Sequence, residues 1–170
     1  MLILLLALTT REIASGEIGL NLNRYLCEKY DKRNLLVPKE VHQRVKVLQW
    51  VHASEATFML HSLAITYARW NAPEHVKENG DLKTMEKGMS ANVKKDLDWL
   101  EDELSKSQGG FLCGDRVTAA DTMMHFSIDF IMRTKLGTQG KEWPKIKRWL
   151  EKCKETEGYR KAIQKTGHKL

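Results

Sequence analysis

Proline, cysteine and long apolar runs are all scarce in this chain. Three prolines and 11 glycines among 170 residues are few for an all-β chain, which needs frequent turns. The three cysteines, Cys27, Cys113 and Cys153, are odd in number and far apart, with neither a CxxC pair nor a Cys/His spacing that suits zinc. No disulfide framework and no metal site are expected. The thiols read as ordinary, partly buried groups in a reducing, cytoplasmic setting. The opening run, Met1 to Leu8, is eight apolar residues long, well short of the roughly 20 that a membrane-spanning helix needs. Its first cation, Arg11, follows the run instead of preceding it, so the signal-peptide pattern does not fit. A buried strand, or the remnant of one, is the reading for that start. Tandem repeats and low-complexity tracts are absent as well.

What is present suits one globular domain. Hydrophobic residues make up 42%, enough to exclude wholesale disorder and to bury a core without staples. The formal charge of +6 comes largely from lysines near the C-terminus: Lys145, Lys147, Lys152, Lys154, Lys161, Lys165 and Lys169. At helical spacing they read as a solvated helix face. No nucleic-acid module or aromatic stacking pattern accompanies them, so no nucleic-acid partner is expected.

Hydrophobic periodicity points to helices throughout. Ile18, Leu22, Tyr25, Leu26 and Tyr30 mark one face of a helix that ends near Asp31 to Asn34. Pro38 suits a first helical turn. From there to about Trp70 nothing breaks the chain, so one long helix is expected, stopped by Asn71-Ala72-Pro73. Residues 74–83 are polar and read as a loop. Met85, Met89, Val93, Leu97, Leu100 and Leu104 define a second long helix, and Lys106 to Gly110 ends it. The helix carrying Ala119, Ala120, Met123, Met124, Phe126, Ile128 and Ile131 is apolar nearly all round, so other helices should surround it. Trp143-Pro144 opens another, with Ile146, Trp149, Leu150 and Cys153 on its face. A short last helix carries Tyr159, Ala162 and Ile163. The fold class is therefore all-α, with about six helices.

The sharpest local signal is Thr118-Ala119-Ala120-Asp121. Thr118 at the N-cap and Asp121 three residues on form a capping box, which satisfies backbone N–H groups that would otherwise be bare in a buried helix start. Val117 before the cap and Thr122 give at most a weak hydrophobic staple. The role read for Thr118 and Asp121 is structural.

The run Gly110-Phe111-Leu112-Cys113-Gly114-Asp115-Arg116-Val117-Thr118-Ala119-Ala120-Asp121 resembles the pattern that opens the core helix of the glutathione transferase C-terminal domain. Trp143 to Leu150 is similar to the helix that follows there, and Gly158 to Ile163 to the closing one. Leu48 to Met59 resembles the first long helix of fungal-type members. The resemblance runs from about residue 24 to the end. It implies that residues 35–170 are the helical domain and residues 1–34 a remnant, strand plus last helix, of a thioredoxin-like N-terminal domain.

In that family glutathione lies mainly on the thioredoxin-like domain, and a small hydrophobic electrophile lies between the two domains. The resemblance therefore implies glutathione as co-substrate, conjugation to such electrophiles as a detoxifying activity, and a homodimer as the possible assembly. The family's glutathione-gripping Ser falls nearest to Ser15, but Ala14 stands where the family has an acid, and about four extra residues separate Ile18 from Tyr25-Leu26. A plain helix cap is the other role open to Ser15, and the residues alone favour it. The early thiol-activating residue and the family's cis-proline have no counterpart, so the catalytic residue is left unassigned. Family geometry turns the middle of the first long helix toward the electrophile, which selects Trp50, Ser54, Phe58, His61 and Ser62 as substrate residues. An aromatic stripe at this spacing is also what a plain core looks like. Two other readings remain: a non-catalytic dimerisation or interaction module, and a gene model truncated ahead of Arg24.

Overall fold

The computed structural model describes residues 19–167. The expected strand at Met1 to Leu8 and the candidate Ser15 lie outside the described residues. Among the described residues the chain is α-helical, with one isolated antiparallel bridge between Phe111 and Gly114. The helices are α1 (Gly19–Tyr30), α2 (Val41–Ala53), α3 (Leu60–Asn71), α4 (Glu74–Glu78), α5 (Asp81–Lys106), α6 (Ala119–Thr134), α7 (Pro144–Lys154) and α8 (Glu157–Thr166). A π-helical segment, Ser54–Met59, joins α2 to α3 without a break. The single long helix expected from the sequence is thus one rod with a π turn in its middle.

Several boundaries differ from the sequence expectation for local reasons. Pro38 stands outside the rod. Glu40 is the N-cap of α2, its carboxylate accepting from the N–H groups of His42 and Gln43 at 2.9 and 2.7 Å. Residues 74–83 are not a loop: α4 occupies Glu74–Glu78, and α5 already starts at Asp81. Asn79 separates the two by accepting from the Asp81 N–H at 3.0 Å, and Gly80 takes the left-handed conformation there, at φ 88°. The expected six helices become seven with α4 when the rod is counted once.

α6 packs against α2, the π segment and α7. Its Ala119, Ala120, Met124, Ile128 and Ile131 are buried. The surround is not complete: Phe126 is exposed on the outer face. The buried face of α5 (Val93, Leu97, Leu100 and Leu104) completes the core with Val47, Ile65, Trp143, Ile146 and Trp149.

At the start of α6 the capping box is present. Asp121 Oδ2 accepts from both the N–H and the hydroxyl of Thr118, at 2.9 Å each. Its other oxygen accepts from the Leu112 N–H at 2.9 Å and the Trp149 indole N–H at 3.0 Å. One carboxylate therefore ties the α5–α6 loop, the α6 start and α7 together. The loop needs glycine for a close approach, because a Cβ on Gly109 would stand 2.2 Å from the Gly114 carbonyl oxygen.

Candidate functional site

The π segment organises the five residues selected from the sequence as substrate contacts. A π turn inserts an extra residue and leaves a carbonyl off the regular ladder. Here the Ser127 hydroxyl of α6 donates to the Ser54 carbonyl at 3.2 Å. Ser54 itself donates to the Val51 carbonyl at 2.7 Å, and Ser62 to the Met59 carbonyl at 3.0 Å. Hydroxyls thus absorb the irregular backbone polarity, and Ser54 and Ser62 are both fully buried in doing so.

Trp50 on α2 and Phe58 in the π segment face α5, where Trp99 stacks on both. The Trp50 and Trp99 ring centroids are 4.5 Å apart at 21°, and those of Phe58 and Trp99 are 5.9 Å apart at 23°. Trp50 and Phe58 are buried, and Trp99 is half-buried. One helical turn N-terminal to Trp99, Asp96 meets His61 of α3, with Nδ1 to Oδ2 at 2.6 Å. The His61 side chain keeps 31% of its exposure and that of Asp96 10%. A carboxylate at Nδ1 fixes the ring orientation and leaves Nε2 as its second polar atom. Glu55, half-buried in the π segment, has its carboxyl pushed up by burial.

The structure brings Trp50, Phe58 and His61 together, with Ser54 and Ser62 behind them. Asp96 and Trp99 were not singled out from the sequence. A signal existed: they lie three residues apart on α5, on the flank of the Val93, Leu97 and Leu100 stripe, so they share a face. The chemistry on offer is a flat aromatic layer beside one partly accessible imidazole paired to a carboxylate. Aromatic faces of this kind suit an apolar ring with a polar substituent.

No thiol nucleophile stands out. Burial is the main force pushing Cys27 and Cys113 up to about 11, and Cys153 is pushed further the same way. Among the described residues no group of three or more His, Cys, Asp or Glu side chains could hold a metal. No helix among them is long and apolar enough to cross a membrane.

Solved structures share this fold. A glutathione S-transferase from Actinobacillus pleuropneumoniae superposes with a TM-score of 0.69 at 20% identity, covering 92% of this chain and 68% of its own. Poplar glutathione transferase F1 gives 0.67 at 21% identity, covering 92% and 71%. Ure2p5 from Phanerochaete chrysosporium, cocrystallized with 1-(S-glutathionyl)-2,4-dinitrobenzene, gives 0.69 at 15% identity, covering 89% and 68%. No curated protein sequence matches the chain. The sequence profile of the glutathione S-transferase C-terminal domain matches residues 52–157, well over half of the chain. With the helical order and the capped core helix described above, this chain belongs to the glutathione S-transferase C-terminal domain family.

Proposed function

We propose that this chain serves as the helical half of a glutathione transferase, and that the Trp50, Phe58 and Trp99 layer with the His61–Asp96 pair meets a small hydrophobic electrophile. The observation that carries this reading is the gathering of aromatic and polar side chains around a π turn, a backbone irregularity that recurs at functional sites. In this reading Trp99 and His61 supply the accessible contacts. Trp50 and Phe58 stiffen the layer from behind, and Ser54 and Ser62 hold the turn.

Glutathione is the co-substrate, with Ser15 its contact from this chain. Residues 1–34 are the remnant of the thioredoxin-like domain and residues 35–170 the helical domain. In conjugation the glutathione thiolate forms a carbon–sulfur bond at the electrophilic carbon, and the displaced group leaves with the electron pair of the broken bond. The thiol-activating donor lies outside the helical domain in this family. The chain alone should therefore convert 1-chloro-2,4-dinitrobenzene and glutathione no faster than solution does. A rate comparable to a complete enzyme would overturn the assignment of thiol activation to a separate domain.

A second reading, a dimerisation module without catalysis, is favoured by a different observation. Val41, Val45, Leu60 and Tyr67 are all exposed along the α2–π–α3 rod. Light scattering across a concentration series tests it: dimers at low micromolar concentration support it, and a strict monomer counts against it.

A further inference from the structure

A groove of about 790 Å³ opens where the linker ahead of α2, the first turns of α2, the end of α5 and the α5–α6 loop meet. It shares no residue with the aromatic layer. Five cations line it, namely Arg33, Lys39, Lys46, Lys106 and Arg116, against three acids. Each acid is already engaged. Glu40 caps α2 through two backbone N–H groups, Glu103 pairs with Lys106 at 3.0 Å, and Asp115 lies 3.7 Å from Arg116. Arg33, Lys39 and Lys46 have no anionic partner among the described residues. The lining thus carries two more cations than acids, three of its cations stand outside any ion pair, and neutral hydrogen-bonding side chains such as Asn34 and Gln43 line the same concavity.

We propose that this groove binds a polyphosphate anion, free or carried on a small organic molecule. The volume lies within the range of about 300–1,000 Å³ typical of small-molecule sites, more than one phosphate fills. Several separated cations suit a ligand whose negative charge is spread along a chain, and Arg and Lys both bind phosphate oxygens through charge-assisted hydrogen bonds. No aromatic side chain lines the groove, so nothing is provided for stacking a nucleobase. Recognition rests on the phosphate chain.

Cys113 is a built-in reporter. Its thiol lines the groove and is half-buried, whereas Cys27 and Cys153 are deeply buried elsewhere. The test is calorimetric titration of the full chain with tripolyphosphate at fixed ionic strength, with ATP and sulfate in parallel arms. Tripolyphosphate is expected to bind saturably, at least tenfold more tightly than sulfate, and to slow alkylation of Cys113 by N-ethylmaleimide. Arg33→Ala and Lys46→Ala alter exposed side chains and should each weaken binding tenfold or more. Lys147→Ala, on the exposed face of α7 and outside the groove, should leave it unchanged. ATP binding within a few-fold of tripolyphosphate supports recognition of the chain of phosphates. Binding of ATP but not tripolyphosphate, binding no tighter than sulfate, or equal losses in Lys147→Ala would overturn the proposal.

Discussion

Asp121 does more than cap a helix. Its two oxygens take four donors, two from Thr118 and one each from Leu112 and Trp149, in a site only 1% exposed. Asp121→Ala leaves the backbone N–H groups of Leu112 and Thr118 and the Trp149 indole N–H without their acceptor, and should cost about 3 kcal/mol by urea denaturation. A loss below about 1 kcal/mol would mean the hub is not formed. The local half of this arrangement was legible, because a Thr and an Asp three residues apart define a capping box by themselves. The Trp149 bond was not, because 28 residues separate the partners and only packing brings them together. His61 and Asp96, 35 residues apart, were hidden for the same reason.

His125 sets a pH dependence at the same scale. Desolvation depresses its imidazole below the ordinary value of 6.5, and Lys154 acts the same way, against the raising fields of Asp129, Glu151 and Asp121. Its ring lies edge-on to Tyr159, with centroids 5.2 Å apart, and tilted against Trp149. A depressed folded-state value means the unfolded chain binds the proton more readily. The contribution of a neutral His125 is then complete above pH 6.5 and is lost as the pH falls through the folded-state value. Urea midpoints should therefore fall between pH 7.5 and pH 5. In His125→Phe that part of the slope should disappear, and an unchanged slope would assign it to other groups.

At the scale of elements, α7 begins without a cap of its own: Trp143 precedes it and Pro144 fills its first turn. The cap comes from α5. Glu101 accepts from the N–H groups of Lys145 and Ile146 at 2.9 Å each, where the positive end of the helix favours a carboxylate. Glu101→Ala should destabilise the chain by about 1 kcal/mol, and hydrogen exchange should show the loss concentrated in the first turn of α7. Beside the same core, Gly137 has φ 64°, and a Cβ there would meet Val93 Cβ at 2.9 Å. Gly137→Ala should cost about 2 kcal/mol by urea denaturation, from overpacking and the left-handed backbone together.

Element existence was mostly readable, since the apolar stripes of α5, α6 and α7 repeat at helical spacing. The π segment was not, because one inserted residue hardly disturbs a stripe as long as Val47 to Ile65. α4 was missed because its five residues include no buried side chain, and without a buried face there is no periodicity to read.

For the whole molecule, the question is whether the aromatic layer is a ligand face or only core. The stacked rings alone fit either. The accessible imidazole, its carboxylate and the half-buried Trp99 favour a face. The most direct measurement follows tryptophan fluorescence as the chain is titrated with 1-(S-glutathionyl)-2,4-dinitrobenzene, whose nitroaromatic ring quenches indoles it approaches. A ligand face predicts saturable quenching, with affinity at least tenfold weaker in Trp99→Leu and in His61→Ala, and unchanged in Trp70→Leu, which removes an exposed indole from the far end of α3. Quenching that does not saturate, or that survives Trp99→Leu and vanishes with Trp70→Leu, would contradict it.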